Sequence, residues 1–471
     1  MKIAKLSSNR PSPPLMAFKK NISALSSPVA ASAAAIFGRF LTLGTGALTG
    51  ILLPLSMKQE TVGLFFLSQS LIAALATLGI LGLNITAPAC ISRAIGQNDY
   101  GQVKQTIRRS LSICFFSVIS LALTFSFFMW LLSSVDSSEL INVLQKLAPL
   151  VSISMILAAM ATLLSEQHRA IGHFVQASFL TTGSSLASAA IVVLAWQSKL
   201  NLQLDALLLA GAIGVACGTA LGGYSLWRWH RRHLEPVSNT ISYREILLQT
   251  RPNLTTTLVL FVVAQADLWV IAYFGDTAQL AIYGLASRLA SLVLIPLAVV
   301  NTVIAPSIGR IWVRNKKRFL QKILRVGAGA ATGLAIAGYL LFILTGKFVL
   351  SKIWSTEYSE AYYIFAILGV SQIVQTYAGT AGFVLMMLQK QHVAMRISVG
   401  SGVIMVVCGS LAMAQFGIMG LAIAYSLGGI VQSLLMIYCV KRIFDLDTKA
   451  SYLSTAQFVH LYIRRRIRHE R

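Results

Sequence analysis

Charge is what this chain has least of. Charged residues fill 11% of its 471 positions, against about 25% in soluble domains. With 56% hydrophobic residues and a mean hydropathy of +0.72, that shortage excludes a soluble globular fold. Acids are scarcest, 15 against 39 Lys and Arg, and only Asp267 falls well inside an apolar stretch, which excludes a carboxylate-lined catalytic cleft at membrane depth. The five cysteines (Cys90, Cys114, Cys217, Cys408, Cys439) have no CxxC spacing. They read as small apolar packing residues, not as a disulfide framework or a metal site. All seven histidines lie between the apolar stretches or in the tail, away from any intramembrane carboxylate. A GxxxxGK[ST] phosphate loop is missing, so ATP hydrolysis by that route is excluded and no cofactor is implied. No gap is long enough for a soluble catalytic domain. The polar, proline-bearing residues 1–28 do not make a signal peptide, because the span behind them is too long and contains an arginine.

What the chain has is a series of apolar stretches, each near the roughly 20 residues that cross a bilayer core. They are placed at Val29–Met57, Thr61–Leu83, Ser110–Leu132, Leu147–Leu164, Phe174–Trp196, Ala206–Trp227, Leu254–Phe274, Leu280–Ile304, Val326–Leu344, Ala361–Leu388, Ile397–Ala414 and Ile418–Val440. The expected fold is an all-α polytopic membrane protein of about 12 transmembrane helices. The net charge of +24 invites a nucleic-acid partner, which its placement defeats. Arg93, Lys104, Arg108, Arg109, Arg228, Arg231, Arg314, Lys317 and the tail from Lys441 all fall in alternate gaps, while the opposite gaps hold only Lys58, Lys146, Lys199, Lys347 and Lys352. By the positive-inside rule both termini are cytoplasmic, and anionic membrane lipid is the partner of the basic face.

The largest cytoplasmic link falls near the middle and divides the chain into a cytoplasmic segment (1–28), an N-lobe (29–227), a linker (228–250), a C-lobe (251–440) and a basic tail (441–471). A shift of 218 positions superposes Ala87-Pro88 on Ala305-Pro306, and a slightly different one sets Gln167-His168 over Gln391-His392. These matches predict a parallel duplication: two pseudo-symmetric six-helix lobes about an axis along the membrane normal. Gly46-x-x-x-Gly50, Gly214-x-x-x-Gly218-x-x-x-Gly222 and Gly329-x-x-x-Gly333 read as close helix contacts. Ser451–Arg471 reads equally as an amphipathic helix on the inner leaflet or as a disordered basic tail.

Three ionisable residues lie inside spans: Arg39, Asp267 and Arg288. Such residues are expensive in a bilayer and are functional hypotheses by default. Asp267 and Arg288 are expected at similar depths, where a structural ion pair between them stands beside a functional role. Arg39 sits roughly 15 Å deep at about 1.5 Å per residue, near the midplane, with no acid in any of the first six spans. Thr42, Gly46 and Thr49 continue its helix as a polar and small stripe. The stripe predicts a water-filled cavity with Thr42 and Thr49 on its wall and Arg39 as an anion site; the alternative for Arg39 is capping the carbonyls of a broken helix. A guanidinium suits phosphate oxygens through its fork of donors.

The stretch ValGlyLeuPhePheLeuSerGln (62–69) with AlaProAlaCysIleSerArg (87–93) resembles the second-helix region of the bacterial polysaccharide flippases. These belong to the multidrug/oligosaccharidyl-lipid/polysaccharide exporter superfamily. AlaAspLeuTrpValIleAlaTyrPheGly (266–275) continuing into AlaIleTyrGlyLeuAlaSerArgLeu (281–289), and GlyLysPheValLeuSerLysIleTrp (346–354), are similar to the same family. The resemblance implies a non-enzymatic flippase of the inner membrane that moves a polyprenyl-diphosphate-linked oligosaccharide by alternating access, for surface polysaccharides such as O-antigen or exopolysaccharide. Other polysaccharide assembly proteins would be its partners, and the cationic cavity residues, here Arg39 and Arg288 with Thr42 and Thr49 on the wall, would hold the diphosphate. The rivals are a cation-coupled drug or metabolite antiporter of the same fold, with Asp267 as the coupling site, and an integral-membrane glycan polymerase or ligase.

Overall fold

The computed structural model describes residues 44–451, apart from 47, 98, 136–138, 199–202, 233–241 and 355. Arg39 and Thr42 lie outside the described residues. Every regular element among those described is helical. The first span enters as α1 (Gly44–Leu55). It is followed by α2 (Gln59–Ile80), α3 (Leu83–Gly96), α4 (Tyr100–Val135), α5 (Glu139–Ala170), α6 (Phe174–Ser198) and α7 (Leu204–Arg232). The second half comprises α8 (Tyr243–Phe274), α9 (Thr277–Leu292), α10 (Ile295–Val313), α11 (Lys317–Ile353), α12 (Glu360–Ala378), α13 (Ala381–Met387) and α14 (Gln391–Phe444). Six of the described helices are long and apolar enough to cross a bilayer, and two bent pairs raise the number to eight.

The breaks follow from local chemistry. The second span divides into α2 and α3 at Leu81 and Gly82, both left-handed. The eighth divides into α9 and α10, which carries Pro296 in its first turn, with a 46° bend between them. The tenth divides into α12 and α13 at Gly379, φ 66°, with a 47° bend. At 54 residues α14 would be about 80 Å long if straight, far beyond a bilayer. Gly417 (φ 62°, ψ −156°) folds it into two limbs, the eleventh and twelfth spans. At the entry to the second half, Ser242 and Glu245 form a capping box that starts α8. The expected linker at 228–250 is therefore partly helical, because α7 and α8 both run into it.

The duplication is visible in element boundaries. α2 and α9 start 218 residues apart (Gln59, Thr277), α4 and α11 217 apart (Tyr100, Lys317), and α6 and α14 217 apart (Phe174, Gln391). α2 and α9 run side by side between the lobes, and their contacts reveal the symmetry. A Cβ on Gly63 would overlap the Thr277 carbonyl and touch the Ala281 nitrogen, and one on Gly284 would strike the Phe66 ring. Gly63 and Ala281, like Phe66 and Gly284, are 218 positions apart, so residues equivalent under the repeat pack on one another. The pseudo-two-fold axis thus runs along this seam, and each side supplies a small residue where the other is close.

Within the N-lobe, Gly214 packs against Gly183 and Ala187, and Gly218 and Gly222 pack against Leu180, so this glycine row lets α7 approach α6. Gly333 meets nothing within 4 Å and makes no such contact. Outward faces are apolar: Phe116, Leu123, Phe127 and Trp130 on α4, and Leu334, Leu341, Leu344 and Phe348 on α11, are all exposed. Such continuous apolar exposure suits hydrocarbon, with the backbone bonds closed inside the helices. The chain is a multi-pass membrane protein. After α14 the chain turns back along the C-lobe, burying Leu446 and Thr448 and bonding Ala450 N to Tyr377 O at 2.9 Å. Residues 452–471, where the amphipathic or disordered tail was expected, lie outside the described residues.

Candidate functional site

A polar cavity of about 180 Å³ lies where α1, α2 and α6 meet α9. Its lining is Gly46, Thr49, Gly50, Phe65, Phe66, Gln69, Ser185, Ser188 and Arg288. All but Arg288 belong to the first half of the chain.

Arg288 is the side chain that defines the site. Eleven residues below the start of α9, it sits about 16 Å from that helix end. Its stem crosses the seam and lies against Gly50, where a Cβ would come within 3.1 Å of Cγ. The guanidinium carbon stands 5.9 Å from the centre of the Phe66 ring, close enough for a cation–π attraction. Solvent can reach the side chain through the cavity although protein surrounds it. Among the described residues the guanidinium has no ion-pair partner; the two ion pairs present are Arg169–Glu166 and Lys317–Asp445.

The anticipated pair of Asp267 with Arg288 is therefore not a contact pair, and depth explains it. Asp267 is seven residues, about 10 Å, from the C-terminal end of α8 at Phe274. Arg288 lies deeper because α9 begins at Thr277, three residues before the expected start at Leu280. The charges act on each other through space only. Asp267 instead accepts from its neighbour Leu268 N at 2.8 Å and lies within hydrogen-bonding reach of the Tyr283 hydroxyl. Tyr425, on the second limb of α14, also faces it, and its buried hydroxyl has no hydrogen-bond partner. Asp267 is not among the residues lining the cavity.

Thr49 lines the cavity, but its hydroxyl is committed: it donates to Thr45 O at 2.9 Å and Ser185 O at 3.2 Å, tying α1 to α6. Gly46 faces Ser185 Oγ. The polar wall that sequence reasoning missed comprises Gln69, Ser185 and Ser188. Its signal was present as the polar run ThrThrGlySerSerLeuAlaSer (181–188) within an otherwise apolar span. A larger cavity of about 800 Å³ opens between the limbs of α14, lined by Ile404, Cys408, Phe416, Ile423, Leu427 and Val431 among others. It carries no charge and its walls are exposed apolar side chains, so it belongs to the bilayer-facing surface.

At about 180 Å³ the polar cavity has room for a small charged group with a few waters, not for an oligosaccharide. Among the described residues no group of three or more His, Cys, Asp or Glu could hold a metal ion.

No family model and no curated protein sequence matches the chain. Solved structures do. An inward-facing multidrug resistance MATE family transporter of the MOP superfamily matches with a TM-score of 0.66 at 15% identity, over 86% of this chain and 95% of that one. The inward closed conformation of the lipid II flippase MurJ gives 0.66 at 14% identity, over 88% and 87%. An outward-facing MATE family transporter gives 0.61 at 15%, over 88% and 94%. The fold is that of MATE and MurJ. At these identities the likeness is one of architecture: about twelve spans in two six-helix lobes, as the duplicated boundaries require.

Proposed function

We propose that the chain is a flippase of the bacterial inner membrane, both termini cytoplasmic, that carries a polyprenyl-diphosphate-linked oligosaccharide outward by alternating access. The observation that carries the reading is Arg288: a cation at membrane depth, without an ion-pair partner among the described residues, at a polar interlobe cavity. A fork of donors beside Gln69, Ser185 and Ser188 suits phosphate oxygens flanked by hydroxyl-rich sugar. Arg39 and Thr42, expected in the first span, would add a second cation and a hydroxyl, and Thr49 supports the wall. The sugar and diphosphate would enter between the lobes while the prenyl chain stays in lipid. One fold neighbour is itself named a lipid II flippase. Other polysaccharide assembly proteins would supply and consume the substrate.

The test is transport by the purified protein in vesicles loaded with a fluorescent polyprenyl-diphosphate glycan, read as label reaching the opposite leaflet. Arg288→Ala should abolish most flipping and Arg288→Lys retain part of it, with both variants inserted normally. Wild-type flipping by the alanine variant defeats the proposal.

A second reading, a cation-coupled antiporter, has one observation behind it: the buried, unpartnered Tyr425 hydroxyl beside Asp267 and Tyr283. If it holds, Asp267→Asn uncouples transport from an imposed proton or sodium gradient. A gradient response equal to wild type removes it.

A further inference from the structure

On the side that the basic gaps assign to the cytoplasm, the C-lobe carries a second polar cavity, of about 420 Å³, in which transport has no part. It lies between the start of α11 and the end of α14. The first two turns of α11 supply Lys317, Arg318 and Gln321, and the last turn of α14 supplies Lys441. The chain that follows α14 completes the wall. Asp445 is left-handed, φ 50°, and its backbone nitrogen donates to Lys441 O at 2.9 Å. Asp and Asn enter that region more readily than other residues with a side chain. The turn buries Leu446 and brings the carboxylates of Asp445 and Asp447 into the same cavity as the cations.

Charges of both signs are thus present, and they do not cancel within the protein. Lys317 Nζ donates to Asp445 Oδ2 at 2.8 Å. Arg318, Lys441 and Asp447 form no ion pair among the described residues. The cavity therefore offers two unpaired cations and one unpaired carboxylate. The start of α11 adds to its positive side, because no side chain caps the helix and the amides of its first turn carry the positive end of the dipole. The equivalent start in the N-lobe is closed. Asp99, 217 positions before Lys316, caps α4 by accepting from Gln102 N at 2.9 Å. A capping acid in one copy is a lysine in the other.

The surface beside the cavity is apolar. Phe319, next to Arg318, is exposed, and so are Tyr438 and Ile443 on the last two turns of α14. Aromatic and apolar side chains beside basic ones at the ends of spans mark the headgroup depth of a bilayer.

We propose that this cavity holds a zwitterionic phospholipid of the inner leaflet, of the phosphatidylethanolamine type, with its phosphate at Arg318, Lys441 and the first turn of α11 and its primary ammonium at Asp447. An anionic lipid would answer the two cations but leave Asp447 unpaired beside a phosphate; the ethanolammonium answers the carboxylate at the same time. Free phosphoethanolamine shares that chemistry. The exposed Phe319 and Ile443 favour the lipid, whose acyl chains rest on them. The bound headgroup bridges α11 and the segment after α14, and so fastens that segment to the C-lobe. This site is independent of the interlobe cavity and of whatever is moved there.

The experiment equilibrates the full chain in micelles with equal amounts of phosphatidylethanolamine, phosphatidylglycerol and phosphatidylcholine of identical acyl chains. Native mass spectrometry then reads which lipid stays bound once the loosely held lipid has been stripped. Wild type should retain phosphatidylethanolamine about fivefold to tenfold over either competitor, the worth of a charge-assisted contact at a partly exposed site. Phosphatidylcholine probes the ammonium contact without a substitution, because its quaternary nitrogen has no N–H to donate. Asp447→Asn should bring phosphatidylethanolamine to parity with phosphatidylglycerol, a change of ratio that a merely structural residue would not produce. Arg318→Gln should weaken retention of all three. Equal retention of the three lipids by wild type overturns the proposal, and a preference for phosphatidylglycerol makes the cavity a plain anion site. An unchanged ratio in Asp447→Asn overturns it as well. If free phosphoethanolamine at the same concentration displaces the lipid, the occupant is a soluble compound and the lipid reading falls. Should Asp447→Asn fail to insert, the wild-type ratios decide alone.

Discussion

The seam between α2 and α9 makes a prediction whose size follows from two residues. Phe66 is 2% exposed, and its ring fills the space left by the missing side chain of Gly284. Phe66→Ala vacates roughly 100 Å³, and at about 24 cal/mol per Å³ the cavity costs about 2 kcal/mol. The transfer term that would add to this in a water-soluble core is largely absent, since the unpacked ring finds lipid rather than water. Gly284→Ala drives a methyl group into the same ring and costs about 1–3 kcal/mol by overpacking. Were the two effects independent, the double variant would lose about 4 kcal/mol. They share one volume, however, so the new methyl occupies part of the space that the phenyl ring leaves. The double variant should lose only about 2 kcal/mol, a coupling within the range of about 0.5–3 kcal/mol found for residues in contact. The assay is reversible unfolding in mixed micelles, titrated with dodecyl sulfate, for the four proteins of the cycle. Strict additivity would mean that Phe66 and Gly284 do not face each other, and the placement of the pseudo-symmetry axis would go with them.

Three further outcomes are expected. Trp354→Phe keeps the buried ring but removes the bond to Ile51 O; it should cost about 0.5–1.5 kcal/mol and quicken modification of a cysteine placed at position 59, and unchanged labelling would remove this bond from the seam. His173 lies in the turn between α5 and α6, its Nδ1 buried without a partner and its ring 5.6 Å from that of His168. Burial pushes its pKa below the ordinary value, so the folded state favours the neutral ring. Its stabilising share is complete above about pH 6.5 and is lost as pH falls; His173→Phe should flatten that part of the pH profile of thermal stability. Lys317 holds the exposed Asp445 carboxyl below its usual range, so the pair persists until pH falls under that range. Being exposed, it should be insensitive to Asp445→Asn in a melting experiment at physiological salt, and a clear drop in melting temperature would show that the segment after α14 depends on it.

How much of this could be read from the chain differs by feature. Spans were legible because lipid imposes one requirement, about 20 apolar residues, on every crossing. The repeat was faintly legible through Ala87-Pro88 and Ala305-Pro306. Helix starts made it plain only in the structure, because pairing of positions such as Gly63 with Ala281 preserves complementarity across the seam instead of identity. Breaks at Leu81, Val293 and Gly379 were invisible to hydropathy, which averages over a bend. The wrong depth for Arg288 has the same cause: Thr277, Ala278 and Gln279 are too polar to count as span, yet Asp276 caps them into the helix by accepting from Gln279 N at 2.7 Å. That one missing turn made an ion pair with Asp267 look natural.

The duplication also explains why the charges are distributed unevenly. Equivalent positions in the two halves begin with equivalent surroundings, so a residue that is polar in one half and charged in the other marks a place where the copies took different tasks. Thr49 corresponds to Asp267 and Ser70 to Arg288, each 218 positions apart. In the N-lobe both are hydroxyl residues satisfied by neighbours, Thr49 by the carbonyls of Thr45 and Ser185 and Ser70 by the indole of Trp269. In the C-lobe both positions are charged and the charges are not in contact, although pairing would have neutralised them most cheaply. Asp267 is drawn toward Tyr283 and Tyr425, and Arg288 toward the opposite lobe. Two opposite charges kept apart at membrane depth carry a cost that a purely structural role would have removed. On the proposed reading, their separation leaves each residue free to meet something else, an anion at Arg288 and, on the rival reading, a proton or cation at Asp267. The charge exchange that tests it is Asp267→Arg with Arg288→Asp: a structural pair would tolerate the swap, whereas two independent sites would both be lost. Transport restored to the double variant above either single one would return the two residues to a structural role.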